Sequence, residues 1–223
     1  IGFDAVEPFG GSCGEDPADL KKMLDDNGLA CPSAHFGLAA LDEDRAKVID
    51  TAKTLGMELV IVPAIPERTQ DVDGWKAVGA KLQAHAEALN DAGLKFAWHN
   101  HAFEYVTLAD GARPIDHLLA GDLVNWEADL GWVVRGGASI AEELQRFSGK
   151  VRAIHVKDLA PDNVTVDDGW TDVGAGTIDW PAAMKSISAT GADLLVLEHD
   201  APSNWLSFAE NSYAYVAGLI GRK

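Results

Sequence analysis

Cysteine is nearly missing from this chain. Cys13 and Cys31 are the two in 223 residues; they form no CxxC pair and no metal-ligand pattern, so a thiolate cage or a disulfide framework is excluded. Both are read as reduced thiols, with a single bridge between them as the alternative. Positive charge is scarce as well: 18 Lys and Arg stand against 35 Asp and Glu, a formal net charge of −17. Binding a phosphate backbone relies on clustered Lys and Arg, so nucleic acid is excluded as a partner. No apolar run approaches the roughly 20 residues that cross a bilayer, and no membrane span is expected. No composition break marks a linker, so residues 1–223 are read as one domain. The chain opens at Ile1 directly in a strand-like run without a signal peptide. Cytoplasm is the expected location, with a leader upstream of Ile1 as the open alternative.

What is present is a hydrophobic content of 47%, enough for a substantial core, laid out in strict alternation. Strands are expected at Ile1–Phe9, Cys31–Leu38, Glu58–Pro63, Leu94–Asn100, Leu123–Asp129, Val151–Val156 and Leu194–Glu198. Between and after them, helical spacing covers Ala18–Asp26, Leu41–Leu55, Val72–Asp91, Asp116–Leu119, Ser139–Phe147, Trp180–Thr190 and Ser207–Ile220. Asp16–Pro17 reads as an N-cap followed by proline at the first helical position. The βα alternation predicts a parallel sheet of the α/β class. Seven strands are visible where a closed barrel needs eight. The expected fold is therefore a (β/α)8 TIM barrel whose first β/α unit is missing from this chain.

Four successive strands end in residues that a buried strand should not carry. Side chains alternate faces along a strand, so His99 pairs with His101, Asn125 with Glu127 and Asp129, Ala153 with His155 and Lys157, and Val196 with Glu198 and Asp200. One histidine on a strand is ordinarily a satisfied core residue, but four donor-bearing ends in series point to a divalent metal. Oxygen and nitrogen donors without thiolate suit Mn²⁺, Mg²⁺, Co²⁺ or Zn²⁺, and parallel βα barrels carry their chemistry at this rim. Glu127 either points inward with Asp129 or meets solvent or Arg152. Glycines 174 and 176 of VGAGTIDW are read as a turn, because the stretch lacks the Lys and Ser/Thr of a phosphate-binding P-loop.

The stretches GFDAVE (2–7), WHNHAFEY (98–105), EADLGWVVRGG (127–137), IHVKD (154–158), VGAGTIDW (173–180) and VLEHD (196–200) together resemble the sugar phosphate isomerase/epimerase family. These are xylose isomerase-like TIM barrels, among which are inosose dehydratases, keto-sugar 3-epimerases and endonuclease IV. The resemblance implies one divalent metal, Mn²⁺ first, held by Asp129, His155 and Glu198. The fourth ligand is His99, which strand parity favours, or Glu104, which the family's use of a carboxylate favours. Glu7 and His35 lie where family members contact substrate, and Trp98 could wall the sugar.

The implied function is a metal-dependent isomerase or epimerase of a keto-sugar or related polyol, working through a metal-stabilised enediolate. Glu198 is the expected base, with His101 and Lys157 as candidates on the opposite face; Lys157 can also be read as an anion anchor. The alternatives are a metal-dependent lyase or dehydratase, of inosose or 3-keto-glycoside type, and a non-catalytic carbohydrate-binding subunit. Endonuclease activity is disfavoured by the net charge and because, of the extra histidine ligands that a multi-metal site needs, only His35 is evident. A small-molecule sugar is the expected partner, and homo-oligomerisation stays open.

Overall fold

The computed structural model describes residues 1–13 and 16–222 and divides into two compact units, Phe3–Trp126 and Glu127–Lys223 with Ile1–Gly2. In the first, strands β1 (Ser33–His35), β2 (Leu59–Val62) and β3 (Lys95–His99) run parallel, with Ser33 level with Leu59 and Leu59 level with Lys95. Every residue of β2 is buried, which is why LVIV shows no alternation: a strand covered on both faces is apolar throughout. Helices α1 (Pro17–Asp26), α2 (Leu38–Leu55), α3 (Val72–Asp91) and α4 (Pro114–Leu118) separate the strands. Asp16 caps α1 by accepting from the Ala18 N–H at 2.9 Å, and Asp71 caps α3 by accepting from Gly74 at 2.8 Å. Such caps satisfy N–H groups that the helix itself leaves without partners.

The first expected strand, Ile1–Phe9, does not form a ladder. Ala30 donates to the Asp4 carbonyl and Val6 to the Ala30 carbonyl, both at 2.9 Å. The next two rungs of that parallel pattern fall on Pro32 and Pro8, and proline has no N–H to give. Isolated bridges at Ala5–Ala30 and Phe9–His35 remain, and the Pro32 carbonyl instead accepts from Glu58 and Leu59 at 2.9 and 3.1 Å. The strand expected over Cys31–Leu38 is three residues long, Ser33–His35: the proline break lies at its start, and Gly37 caps α2, which begins at Leu38. Six of the seven expected strands thus form among the described residues.

Strand β4 (Val124–Asp129) carries the chain into the second unit, where β5 (Val151–Val156) and β8 (Leu194–Leu197) pair in parallel, His155 level with Val196. Between them lies a short antiparallel pair, β6 (Asp158–Leu159) with β7 (Trp170–Thr171). The helices are α5 (Leu130–Arg135), α6 (Ile140–Arg146), α7 (Trp180–Thr190) and α8 (Trp205–Leu219). Among the described residues no helix is long and apolar enough to cross a membrane. Cys13 and Cys31 are free and buried, so the bridge alternative is not taken; burial pushes the Cys31 thiol up to about 12.

Gly79 lies where α3 meets α4, and a Cβ there would stand 2.1 Å from the His117 carbonyl oxygen. Alanine normally favours a helix interior over glycine by ~1 kcal/mol, whereas forcing backbone apart costs about 1–3 kcal/mol or more. The clash is with main chain, so Gly79→Ala should lower stability despite the better helix former. Urea unfolding of the variant would check the sign.

Candidate metal centre

In the second unit the donor-bearing residues converge. His155, on β5, is 2% exposed, and Glu127 and Asp129, on β4, have no exposed surface. The His155 Nδ1 atom lies 3.7 Å from Asp129 Oδ2 and 3.9 Å from Glu198 Oε2, while Nε2 lies 3.3 Å from Glu127 Oε1. One ligand atom each from Asp129, His155 and Glu198 falls within 4.8 Å of the others. Glu127 therefore has an inward position, on the face that strand parity shares with Asp129. A carboxylate on one ring nitrogen orients a histidine and turns the other nitrogen toward a cation.

Asp129 has two tasks. It is the last residue of β4 and the N-cap of α5, its Oδ1 accepting from the Trp132 N–H at 2.8 Å, which leaves Oδ2 as the oxygen nearest His155. The donor set, two carboxylates and an imidazole without thiolate, fits a divalent ion of oxygen and nitrogen preference. Three protein donors leave coordination positions for substrate, as catalytic rather than structural sites do. Burial raises the Glu198 carboxyl above its usual range, with the nearby Lys157 and His155 pulling it the other way.

Lys157 is 1% exposed and sits between acids, its Nζ 2.8 Å from Glu198 Oε2 and 2.7 Å from Asp200 Oδ2. It also lies over two indoles, 4.3 Å from the Trp170 ring and 5.1 Å from Trp132. Those rings meet edge to face at 4.7 Å, and the Arg135 guanidinium stacks 3.6 Å from Trp170. Arg135 in turn binds Asp168, which with Asp167 adopts positive φ (57° and 54°). Next in sequence, Asp158 is wholly buried and accepts from the N–H groups of Leu159, Gly174, Gly176 and Ile178 and from the Trp180 indole, at 2.8–3.2 Å. A Cβ on Gly176 would stand 2.2 Å from Asp158 Oδ1, so VGAGTIDW is a loop clasped around a carboxylate.

The other candidates lie in the first unit. Glu7 and His35 are paired, Oε1 to Nε2 at 3.2 Å, and the Ser33 hydroxyl donates to the other Glu7 oxygen. The His35 and His99 ring centroids are 5.0 Å apart, those of His99 and His101 5.1 Å, and His101 stacks on Phe103. Trp98 has no exposed surface, and its indole donates to Glu104 Oε1 at 3.1 Å; Glu104 Oε2 accepts from the His101 N–H at 2.9 Å. Both Glu104 oxygens are thus engaged within the fold. Glu127 and Asp200 are the residues that a reading for ligands and bases passes over; alternation along β4 and in the stretch after β8 is the signal that marks each.

Parallel strands ending in a carboxylate–imidazole cluster define an α/β protein of the TIM-barrel class. The sequence model of the xylose isomerase-like TIM barrel family matches residues 1–217, and the chain belongs to that family. It is 24% identical over 187 residues to an inosose dehydratase from Geobacillus kaustophilus (strain HTA426), an alignment covering 73% of this chain and 60% of that protein. Among solved structures, a sugar phosphate isomerase/epimerase from Parabacteroides distasonis superposes with a TM-score of 0.81 at 22% identity, covering 96% of this chain and 83% of that one. An IOLI protein with a bound zinc atom gives a TM-score of 0.77 at 17% identity, covering 99% and 89%. An L-ribulose 3-epimerase gives 0.74 at 20%, covering 99% and 85%.

Burial pushes the Glu104 carboxyl up to about 8, outweighing the N–H donors that pull it down. An unfolded Glu titrates near ~4.3, so between these values the native state holds a proton that the unfolded chain has lost. The stabilisation is full below the unfolded value and is lost as pH rises through about 8, at roughly 1 kcal/mol per pH unit. Glu104→Gln should flatten that decline, which urea midpoints measured across the same pH range would test.

Proposed function

We propose that this protein is a divalent-metal-dependent isomerase or epimerase of a keto-sugar or related polyol. The observation that carries the reading is the convergence of Asp129, His155 and Glu198 within 4.8 Å at the ends of three strands. Mn²⁺ is the first choice of ion and Mg²⁺, Co²⁺ and Zn²⁺ the alternatives; the zinc in the IOLI structure supports a cation of this class. His99 is favoured as fourth donor, because both oxygens of Glu104 already accept hydrogen bonds. That the family match runs through both compact units supports a single domain over residues 1–223.

When bound, the cation supplies Lewis-acid polarisation of a carbonyl and its neighbouring hydroxyl. Glu127 fixes the ring of His155, and the Asp129 cap fixes its own carboxylate. Glu198 stands at the partly exposed edge of the cluster, 28% of its side chain accessible, and its raised proton affinity suits a base that must take an α-proton and later return it. Lys157 is engaged by both Glu198 and Asp200, which leaves His101 as the candidate for the second proton transfer that epimerisation needs. Glu7 and His35 form a fixed polar pair suited to substrate hydroxyls, and Trp98 supports Glu104 from beneath.

A lyase is the second reading, favoured by the likeness to an inosose dehydratase: the same proton abstraction followed by loss of a β-hydroxyl gives dehydration. Incubation of the Mn²⁺-loaded protein with a panel of ketoses in D₂O should give metal-dependent deuterium uptake at the α-carbon. Glu198→Gln should slow it about 10²–10⁴-fold, the usual worth of a positioned acid–base group. Loss of water from an inosose without such exchange would move the assignment to the lyase. No turnover of any ketose or inosose by metal-bound protein would sink both readings.

A further inference from the structure

Glu198 Oε2 faces two ways. It is the oxygen 3.9 Å from His155 Nδ1, on the side where a cation would sit, and it is the oxygen 2.8 Å from Lys157 Nζ. An oxygen engaged by an ammonium is a poor metal donor, so binding an ion draws Glu198 away from Lys157. Lys157 cannot follow, because it is enclosed by Trp170 and Trp132 and almost wholly buried. Left without a counter-charge, a buried ammonium is strongly destabilising.

Asp200 answers this. It lies two residues after Glu198, its side chain 44% exposed and its Oδ2 2.7 Å from Lys157 Nζ. We infer that Asp200 is a positioning residue: it keeps Lys157 paired so that Glu198 is released to the metal cluster. The inference rests on the metal-site reading and extends it to a residue that neither touches the ion nor transfers a proton. Without Asp200, Lys157 competes harder for Glu198, and the ion binds less tightly. Without Lys157 there is no competition for Asp200 to relieve.

A double-mutant cycle separates this role from a general effect of negative charge. Mn²⁺ affinity is measured by calorimetry on the wild type, Asp200→Asn, Lys157→Met and the double variant, each checked for folding by circular dichroism. Lys157→Gln stands in if the methionine variant does not fold. Asp200→Asn should weaken Mn²⁺ binding about tenfold with Lys157 present, within the range known for residues that support ligands, and should have no effect without it. Equal weakening in both backgrounds would mean that Asp200 acts through space on the ion, and no weakening in either that it is idle; each overturns the inference alone. A wild type that binds no Mn²⁺ removes the metal-site reading and this inference with it.

Discussion

Four carboxylates, Glu127, Asp129, Glu198 and Asp200, are gathered around one imidazole and one ammonium in a largely buried part of the second unit. Like charges at such distances in a medium of low dielectric raise one another's proton affinity, and taking them out of water is costly before any pairing is counted. Lys157 offsets one negative charge and cannot offset four. A divalent cation bound as proposed above would add positive charge at this point. Burial is the main cause that raises the Glu198 carboxyl, Lys157 and His155 oppose it, and the charge of Asp129 adds a smaller push upward.

Such a cluster needs a rigid surround, since a loose one would relax by swinging its carboxylates into solvent. Two devices supply it. The first is the Asp158 clasp, in which four N–H donors from residues 174–180 and the N–H of Leu159 close on a single buried side chain. The second is the stack of Arg135 and Lys157 on Trp170 and Trp132. Both stand beside Lys157 in sequence or in space, so the ammonium between Glu198 and Asp200 is itself held. Preorganisation of this kind keeps a base in place while charge moves during a reaction.

Much of this was readable from residue order, and the exceptions have physical causes. Helices Val72–Asp91 and Trp180–Thr190 and strand Val151–Val156 have the expected limits, because caps and following glycines mark the helices and a mainly apolar run marks the strand. The failed first strand depends on Pro8 and Pro32 meeting on adjacent rungs, a coincidence of pairing that neither segment reveals alone. Helix α5 was hidden because its cap is Asp129, a residue whose position at a strand end already had a reading. The three convergent donors were legible from alternation. The part of Asp200 was not, since it depends on where the Lys157 ammonium lies between two carboxylates and two indoles.

The same accounting bears on substrate. A phosphorylated sugar needs a cation with charge to spare, and Lys157, the ammonium within this cluster, is already shared by Glu198 and Asp200. An incoming phosphate would have to displace one of those carboxylates and stay beside the rest, against their repulsion. A neutral polyhydroxy ketone meets no such opposition. It can offer carbonyl and hydroxyl oxygens to a bound cation while its remaining hydroxyls donate to the carboxylates around it. Under the function proposed above, the electrostatics of the cluster would favour an uncharged sugar or cyclitol over a sugar phosphate.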